Sequence, residues 1–155
     1  MSIDHNKVYL GAGMIEFVCS LEPKSEDIDF LTERLDEDAC YAVQMPPSQK
    51  FGFFIKNGLM RQIVAGCNGI VIFGALFLRQ IWVAKEFRGQ KYGTKLIHAV
   101  EDLARNKKCS MIIVRTMSWQ AKDFYLKLGY FVEFEQLGFE KNSIMYHLRK
   151  NITLE

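Results

Sequence analysis

Between Ile70 and Thr116 the hydrophobic pattern changes period twice, and this change restricts the fold more than any other feature of the chain. Ile70 to Val83 reads as one long apolar strand. A short turn through Lys85-Glu86-Phe87-Arg88-Gly89-Gln90-Lys91 follows, and from Tyr92 to Lys107 the period is helical. Tyr92, Leu96, Ile97, Val100, Leu103 and Ala104 fall on one face of that helix, with Lys95, Glu101, Asp102 and Arg105 largely outside it. Met111 to Thr116 is again short, apolar and strand-like. A strand–helix–strand order of this kind predicts two parallel strands joined by a right-handed crossover. The chain therefore reads as α/β around a mixed sheet.

The flanks are less sharply specified. Met14 to Leu21 alternates as a first strand. Ser25 is placed to cap a helix running to about Leu35, with Ile28, Leu31 and Leu35 along one face. Asp36 to Gln49 leaves room for a second short helix before the Met45-Pro46-Pro47 break. Phe51 to Lys56 and Leu59 to Val64 flank Asn57-Gly58, which suits a type I′ hairpin turn. Cys67-Asn68-Gly69 reads as a second turn, leading into Ile70. Gln120 to Leu128 predicts a short helix closed by a left-handed Gly129. Tyr130 to Gln136 and Ser143 to Leu148 supply two last strands, with a frayed tail behind them.

Composition narrows the function. With 155 residues, 49% of them hydrophobic, residues 1–155 are expected to form a single domain. A net charge of +2 from 20 basic and 18 acidic residues carries no nucleic-acid footprint. Locally, Glu22 to Asp38 is acidic, whereas Arg88, Lys91, Lys95, Arg105, Lys107 and Lys108 cluster around the central helix. An acidic run of this kind can draw in a cationic amine, but more often it is simply a solvated face. No run is long enough to span a membrane and no leader pattern is visible, so the expectation is a cytoplasmic protein without a membrane partner. Cys19, Cys40, Cys67 and Cys109 are scattered, as are His5, His98 and His147. Reduced thiols used as small apolar residues, and no metal site, are the expectation.

The turn itself suggests chemistry. Arg88, Gly89, Gly93 and the helix start behind them can aim backbone N–H groups at a phosphate, where the helix end adds partial positive charge. Alone the pattern is weak, since glycine opens many helices for steric reasons. A Walker A loop needs G-K-[ST], and the order here is Gly93-Thr94-Lys95; a dinucleotide fingerprint is absent as well. A second motif lies downstream, Ala121-Lys122-Asp123-Phe124-Tyr125-Leu126-Lys127-Leu128-Gly129-Tyr130. Together the two stretches resemble the GCN5-related N-acetyltransferases (GNAT), which move an acetyl group from acetyl-CoA to an amine. The resemblance runs from about Phe51 to Leu148 and is strongest from Leu76 to Tyr130.

The resemblance implies a GNAT fold, a mixed central β-sheet with a splayed parallel strand pair and flanking helices. It also implies acetyl-CoA as co-substrate, with no metal. In the family the pyrophosphate loop reads [QR]-x-x-G-x-[GA]; Arg88 and Gly93 match its ends, and Lys91 stands where the middle glycine is usual. Pantetheine would pair with Ile81, Trp82 and Val83. Cofactor contacts are further implied for Gly89, Gln90, Tyr92, Thr94, Phe124 and Lys127. They extend to Ser118, which replaces a common asparagine and also suits a helix N-cap. Tyr125 corresponds to the family's general acid, which protonates the departing thiolate; read without the motifs it is a core aromatic. The lead-in Thr116-Met117-Ser118-Trp119-Gln120-Ala121 is similar to a small bacterial branch with T-x-S-[FW]-Q-A.

A general base is not evident. Ala75 to Val83 carries Arg79 and Gln80 but no carboxylate; Glu16, Glu133 and Glu135 read as solvated strand residues, and His98 as a surface or core-edge residue of the helix. The acceptor is expected to be a small-molecule or peptide amine, and a homodimer is compatible with the sequence. The main rival is a non-catalytic CoA-binding or sensor domain on the same fold. A nucleic-acid module using the basic helix ranks lower, since it lacks interleaved aromatics.

Overall fold

A computed structural model describes residues 7–10, 13–16, 19–58 and 61–153. Two short strands, β1 (Lys7–Leu10) and β2 (Gly13–Glu16), pair antiparallel with each other. Of the strand expected over Met14 to Leu21, residues 14–16 belong to β2, residues 17–18 lie outside the described residues, and Cys19 to Leu21 are not extended ladder. Helix α1 (Ser25–Val43) is one continuous element instead of a helix to Leu35 followed by a second. No glycine or proline interrupts Ser25 to Val43, so nothing in that stretch disfavours helix strongly. The helix stops at Gln44, which takes a left-handed φ of 56° just before Met45-Pro46-Pro47. Ser25 is not the cap but the first helical residue, and Lys24 before it makes no side-chain capping bond. Ile28, Leu31 and Leu35 remain exposed on α1. Polar contacts link this helix to the start of the sheet: Ser48 Oγ donates to Asp36 at 2.8 Å, and Lys50 pairs with Asp29.

The remaining strands are β3 (Gln49–Lys56), β4 (Ile63–Ile72), β5 (Ala75–Val83), β6 (Met111–Met117), β7 (Phe131–Gln136) and β8 (Met145–Asn151). They form one six-stranded sheet in the order β3-β4-β5-β6-β8-β7, in which β5 and β6 are parallel and the other pairs antiparallel. Helix α2 (Tyr92–Asn106) makes the crossover from β5 to β6, and α3 (Lys122–Lys127) follows β6. The period change read from Ile70 to Thr116 is thus the central unit of the fold.

Two turns differ from expectation. The β3–β4 hairpin opens at the Lys56↔Ile63 pair, wider than a turn at Asn57-Gly58 alone; of the strand expected from Leu59, residues 59–60 lie outside the described residues and residues 61–62 precede the ladder. Asn57 N–H donates to Gln62 and Arg61 N–H to Asn57, at 2.9 and 2.8 Å, closing this wider loop with Arg61 at a φ of 52°. There is no turn at Cys67-Asn68-Gly69; β4 runs straight through, and the chain reverses at Phe73-Gly74. The glycine is there for another reason. A Cβ on Gly69 would lie 2.1 Å from the carbonyl oxygen of Phe77, so the backbones crowd at this point. Asn68 pairs with Gln80 and Gly69 with Leu78, which makes Arg79 the extra residue of a bulge in β5.

The core lies between the sheet and α2. Leu96, Ile97, Val100 and Ala104 pack against Ala65, Leu76, Leu78, Ile112, Val114 and Leu148, all buried. Burying each larger aliphatic side chain contributes about 1.5–3 kcal/mol. Glu101, read above as outside this face, is instead buried at 5% exposure, because Lys150 Nζ reaches its Oε1 at 2.7 Å. The end of the chain is not frayed through residue 153: Ile152 is buried and its N–H donates to Ser110 at 2.9 Å. Cys67 and Cys109 are buried as expected for small apolar residues, whereas Cys19 and Cys40 are exposed.

Candidate functional site

The parallel pair is hydrogen-bonded only from Ala75↔Met111 to Leu78↔Val114. Beyond that, β5 continues to Val83 and β6 to Met117 without pairing, because the bulge at Arg79 turns β5 away. The edge of β5 from Gln80 to Val83 therefore presents unpaired backbone donors and acceptors on its β6 side. Val83 uses its carbonyl to accept from Arg88 Nε at 3.1 Å.

Two cavities meet at this splay. One, of about 800 Å³, lies toward α2 and is lined by Ile81, Trp82, Val83, Phe87, Arg88, Gly89, Lys91, Tyr92, Gly93, Thr94, Trp119, Gln120, Ala121 and Phe124. The other, of about 500 Å³, is lined by residues that include Phe54, Cys67, Asn68, Arg79, Gln80, Arg115, Thr116 and Tyr125. Ile81, Trp82, Gln120 and Ala121 line both.

One wall of the larger cavity has the chemistry that suits an anion. No side chain caps the start of α2, so the N–H groups of its first turn have no intrahelical partner. Arg88 and Lys91 add two cations at its rim. Lys91 holds a φ of 63° and ψ of 14°, the left-handed region that glycine enters without strain. This is the position where the resembling family has its middle glycine, and here a lysine bears the conformation. Gly93 abuts the Phe124 ring: a Cβ there would sit 3.3 Å from Cζ.

Tyr125 lines the second cavity. It is 2% exposed and packs edge-on against Phe124 and Tyr130, with centroids 5.2 and 5.6 Å apart. Burial pushes its phenol above the usual tyrosine range, and the Cys67 thiol beside it pushes the same way. Cys67 itself is raised to about 11 by burial, partly offset by a backbone hydrogen bond from Phe53. Both influences keep the phenol protonated.

Most of the expected cofactor residues converge on the larger cavity, but three do not line either one. Gln90 folds back to donate to the Glu86 carbonyl at 3.1 Å. Ser118 is engaged with Ile144, donating its N–H to that carbonyl at 2.7 Å and accepting the Ile144 N–H on Oγ at 3.2 Å. It does not cap α3, whose N-cap residue is Ala121. Lys127 is exposed in the last turn of α3. Among possible bases, Glu133 pairs with Arg149 at 3.1 Å; neither it nor Glu135 nor His98 lines a cavity, and the Glu16 side chain lies outside the described residues. Sequence reasoning passed over Gln120, whose Oε1 accepts the Met117 N–H at 2.8 Å and so holds the β6–α3 turn between the two cavities. Its signal was present in the T-x-S-[FW]-Q-A lead-in. Arg79 and Arg115 gave no such signal, because only the fold brings both to the lining of one cavity.

The sequence matches the acetyltransferase (GNAT) family over residues 15–130. It is 38% identical over 56 residues to a thialysine N-epsilon-acetyltransferase of Bos taurus, a match covering 35% of this chain and 33% of that protein. The chain thus spans about a third of the length of the curated relatives it matches. An acetyltransferase from Bacillus cereus ATCC 14579 has a similar fold, with a TM-score of 0.70 at 22% identity over 86% of this chain and 97% of that one. An aminoglycoside 6'-N-acetyltransferase solved with coenzyme A shares the fold at a TM-score of 0.59 and 15% identity, covering 68% of this chain and 74% of its own.

Proposed function

The chain belongs to the acetyltransferase (GNAT) family, and from that premise we propose that residues 1–155, as one domain, transfer an acetyl group from acetyl-CoA directly to an amine. The observation that carries the reading is the meeting of the two cavities across Ile81, Trp82, Gln120 and Ala121, with Tyr125 lining one of them. A long, phosphate-bearing thioester fits the larger cavity. Its diphosphate would take the open N–H groups of α2 together with Arg88 and Lys91, and its amide arm the free edge of β5 at Ile81 to Val83. The smaller cavity then receives the amine. Among the described residues, no helix is long and apolar enough to cross a membrane.

The chemistry balances with the groups present. The amine lone pair attacks the thioester carbonyl carbon, the C–S bond breaks, and the departing sulfur takes the proton of the Tyr125 hydroxyl, which solvent restores. Burial destabilises the phenolate and a thiolate formed beside it alike. The proton is therefore shared between groups shifted in the same direction. Among the described residues no carboxylate or histidine lines either cavity, and in this reading the amine gives up its proton to water. Much of the rate would come from holding the reactants together, which supplies on the order of 7–11 kcal/mol in well-oriented cases.

The test is amine-dependent release of the CoA thiol across a panel of small amines and peptides, with acetyl-CoA affinity measured by calorimetry. Acetyl transfer predicts thiol release that requires an amine, and a kcat/KM that rises with pH as the acceptor deprotonates. Tight acetyl-CoA binding without release for any amine would make this a CoA-binding domain instead.

A further inference from the structure

Leu78↔Val114 is the last pair of the parallel ladder, and the next residue on each strand is an arginine, Arg79 on β5 and Arg115 on β6. Both line the smaller cavity, and among the described residues they are its only charged lining residues; both also border a further cavity of about 250 Å³ with Phe77 and Ile113. Among the described residues, neither arginine has a hydrogen-bond or ion-pair partner. The nearby acid Glu133 is already held by Arg149. Opposite Arg115 in the β6–β8 ladder stands His147, which does not neutralise it: burial and the Arg115 charge together hold the imidazole below its ordinary pKa, against a weaker pull from Glu133. Two cations lining one cavity without a counter-ion favour an anionic ligand there.

The rest of the cavity supports a small, mixed ligand. Phe54, Ile63 and Trp82 supply apolar surface. Asn68 Nδ2 donates to Gln80 Oε1 at 2.6 Å, which leaves the Asn68 carbonyl and the Gln80 amide N–H groups free to bind a ligand. The acidic stretch on α1, which the sequence offered as an attractant for cationic amines, contributes nothing to the lining.

Resting on the acetyl-transfer reading, we propose that the acceptor is an amine carrying an oxyanion group, held by Arg79 and Arg115 while its nitrogen faces Tyr125. Guanidinium groups suit carboxylate and phosphate alike, since each presents paired oxygens to the planar fork. A polycationic acceptor is disfavoured by the same two charges.

The test pairs each L-amino acid with its carboxamide and each aminoalkyl phosphate with its parent amino alcohol, and measures kcat/KM for every member. The anionic member of a pair should exceed its neutral partner by about tenfold or more, the worth of one charged hydrogen-bond set. Preference within the first pairs identifies a carboxylate, and within the second a phosphate. Arg79→Gln and Arg115→Gln should each remove most of that preference through KM of the acceptor, leaving the KM of acetyl-CoA unchanged. Arg79→Lys should restore it only in part, and the surface change Arg34→Gln should have no effect. Equal use of both members, preference for neutral or cationic amines, or indifference to both arginine changes overturns the inference while acetyl transfer stands. If no amine is consumed, the transfer reading fails. Calorimetry of the same pairs on the CoA-loaded protein then decides this inference: tighter binding of the anionic member, lost in Arg79→Gln, supports it, and equal binding overturns it.

Discussion

Lys150 on β8 places its Nζ 2.7 Å from Oε1 of Glu101 on α2 and 2.8 Å from the carbonyl of Leu128 at the end of α3. One ammonium thus joins the helix that opens the phosphate-like wall to the helix that carries Tyr125. Glu101 is nearly fully buried and Lys150 partly so, with Arg105 a more distant second partner of the carboxylate at 3.7 Å. Lys150→Met should lower stability by about 2 kcal/mol, because it strands a buried carboxylate and an α3 carbonyl. Urea unfolding measures the loss. Converting Glu101 to Met in the same background should recover the share due to the stranded carboxylate and leave the share due to the Leu128 carbonyl.

Gly93→Asp should abolish acetyl-CoA binding in calorimetry while the protein remains folded. The new Cβ meets the Phe124 ring at 3.3 Å, and the carboxylate brings negative charge to the helix start. Unchanged affinity in a folded variant would rule out this wall as the phosphate site.

Lys91→Gly separates a conformational effect from an electrostatic one. Relieving the left-handed lysine at φ 63° should stabilise the fold by about 1 kcal/mol, a rise in Tm of roughly 2–4 °C at this chain length. The wild-type protein should prefer CoA over dephospho-CoA through Lys91 and Lys95, and the preference should shrink with salt, since exposed charges are screened over about 8 Å at physiological ionic strength. The variant should show a smaller preference together with the higher Tm.

How far the sequence reached can be judged at particular residues. The unit from β5 through α2 to β6 was legible because its apolar period changes cleanly, and Arg88, Lys91 and Gly93 were singled out only because the downstream motif supplied the context that the turn alone lacked. Gly69 was misread as a turn because crowding against Phe77 and a reversal of the chain call for the same residue. Glu101 was misread because its partner Lys150 lies 49 residues away, and no local pattern reports a contact at that separation. The same limit hid Arg79 and Arg115, which share a cavity lining only in the folded chain. The continuity of α1 was open from the start, since absence of a breaker is weaker evidence than presence of one.

Tyr130 offers a pH test. Its hydroxyl is buried with no hydrogen-bond partner among the described residues. Burial, then the charges of Glu101 and Tyr125, hold its phenol above the ordinary value. A tyrosine raised in the fold binds its proton more tightly there than in the unfolded chain, so stability is complete below about pH 10 and falls as pH rises beyond it. Tyr130→Phe should be neutral or stabilising at pH 7, by up to about 1 kcal/mol, and should make the alkaline loss less steep. Thermal unfolding from pH 7 to 11 measures both.

The most direct measurement compares Tyr125→Phe with the wild type in amine-dependent thiol release, with acetyl-CoA affinity determined in parallel. The ring still packs against Phe124 and Tyr130, so binding and folding should be nearly unchanged. Turnover should fall by roughly 10²-fold or more, the contribution of a positioned general acid. A variant that turns over at the wild-type rate would contradict the account, since another group or water would then protonate the thiolate.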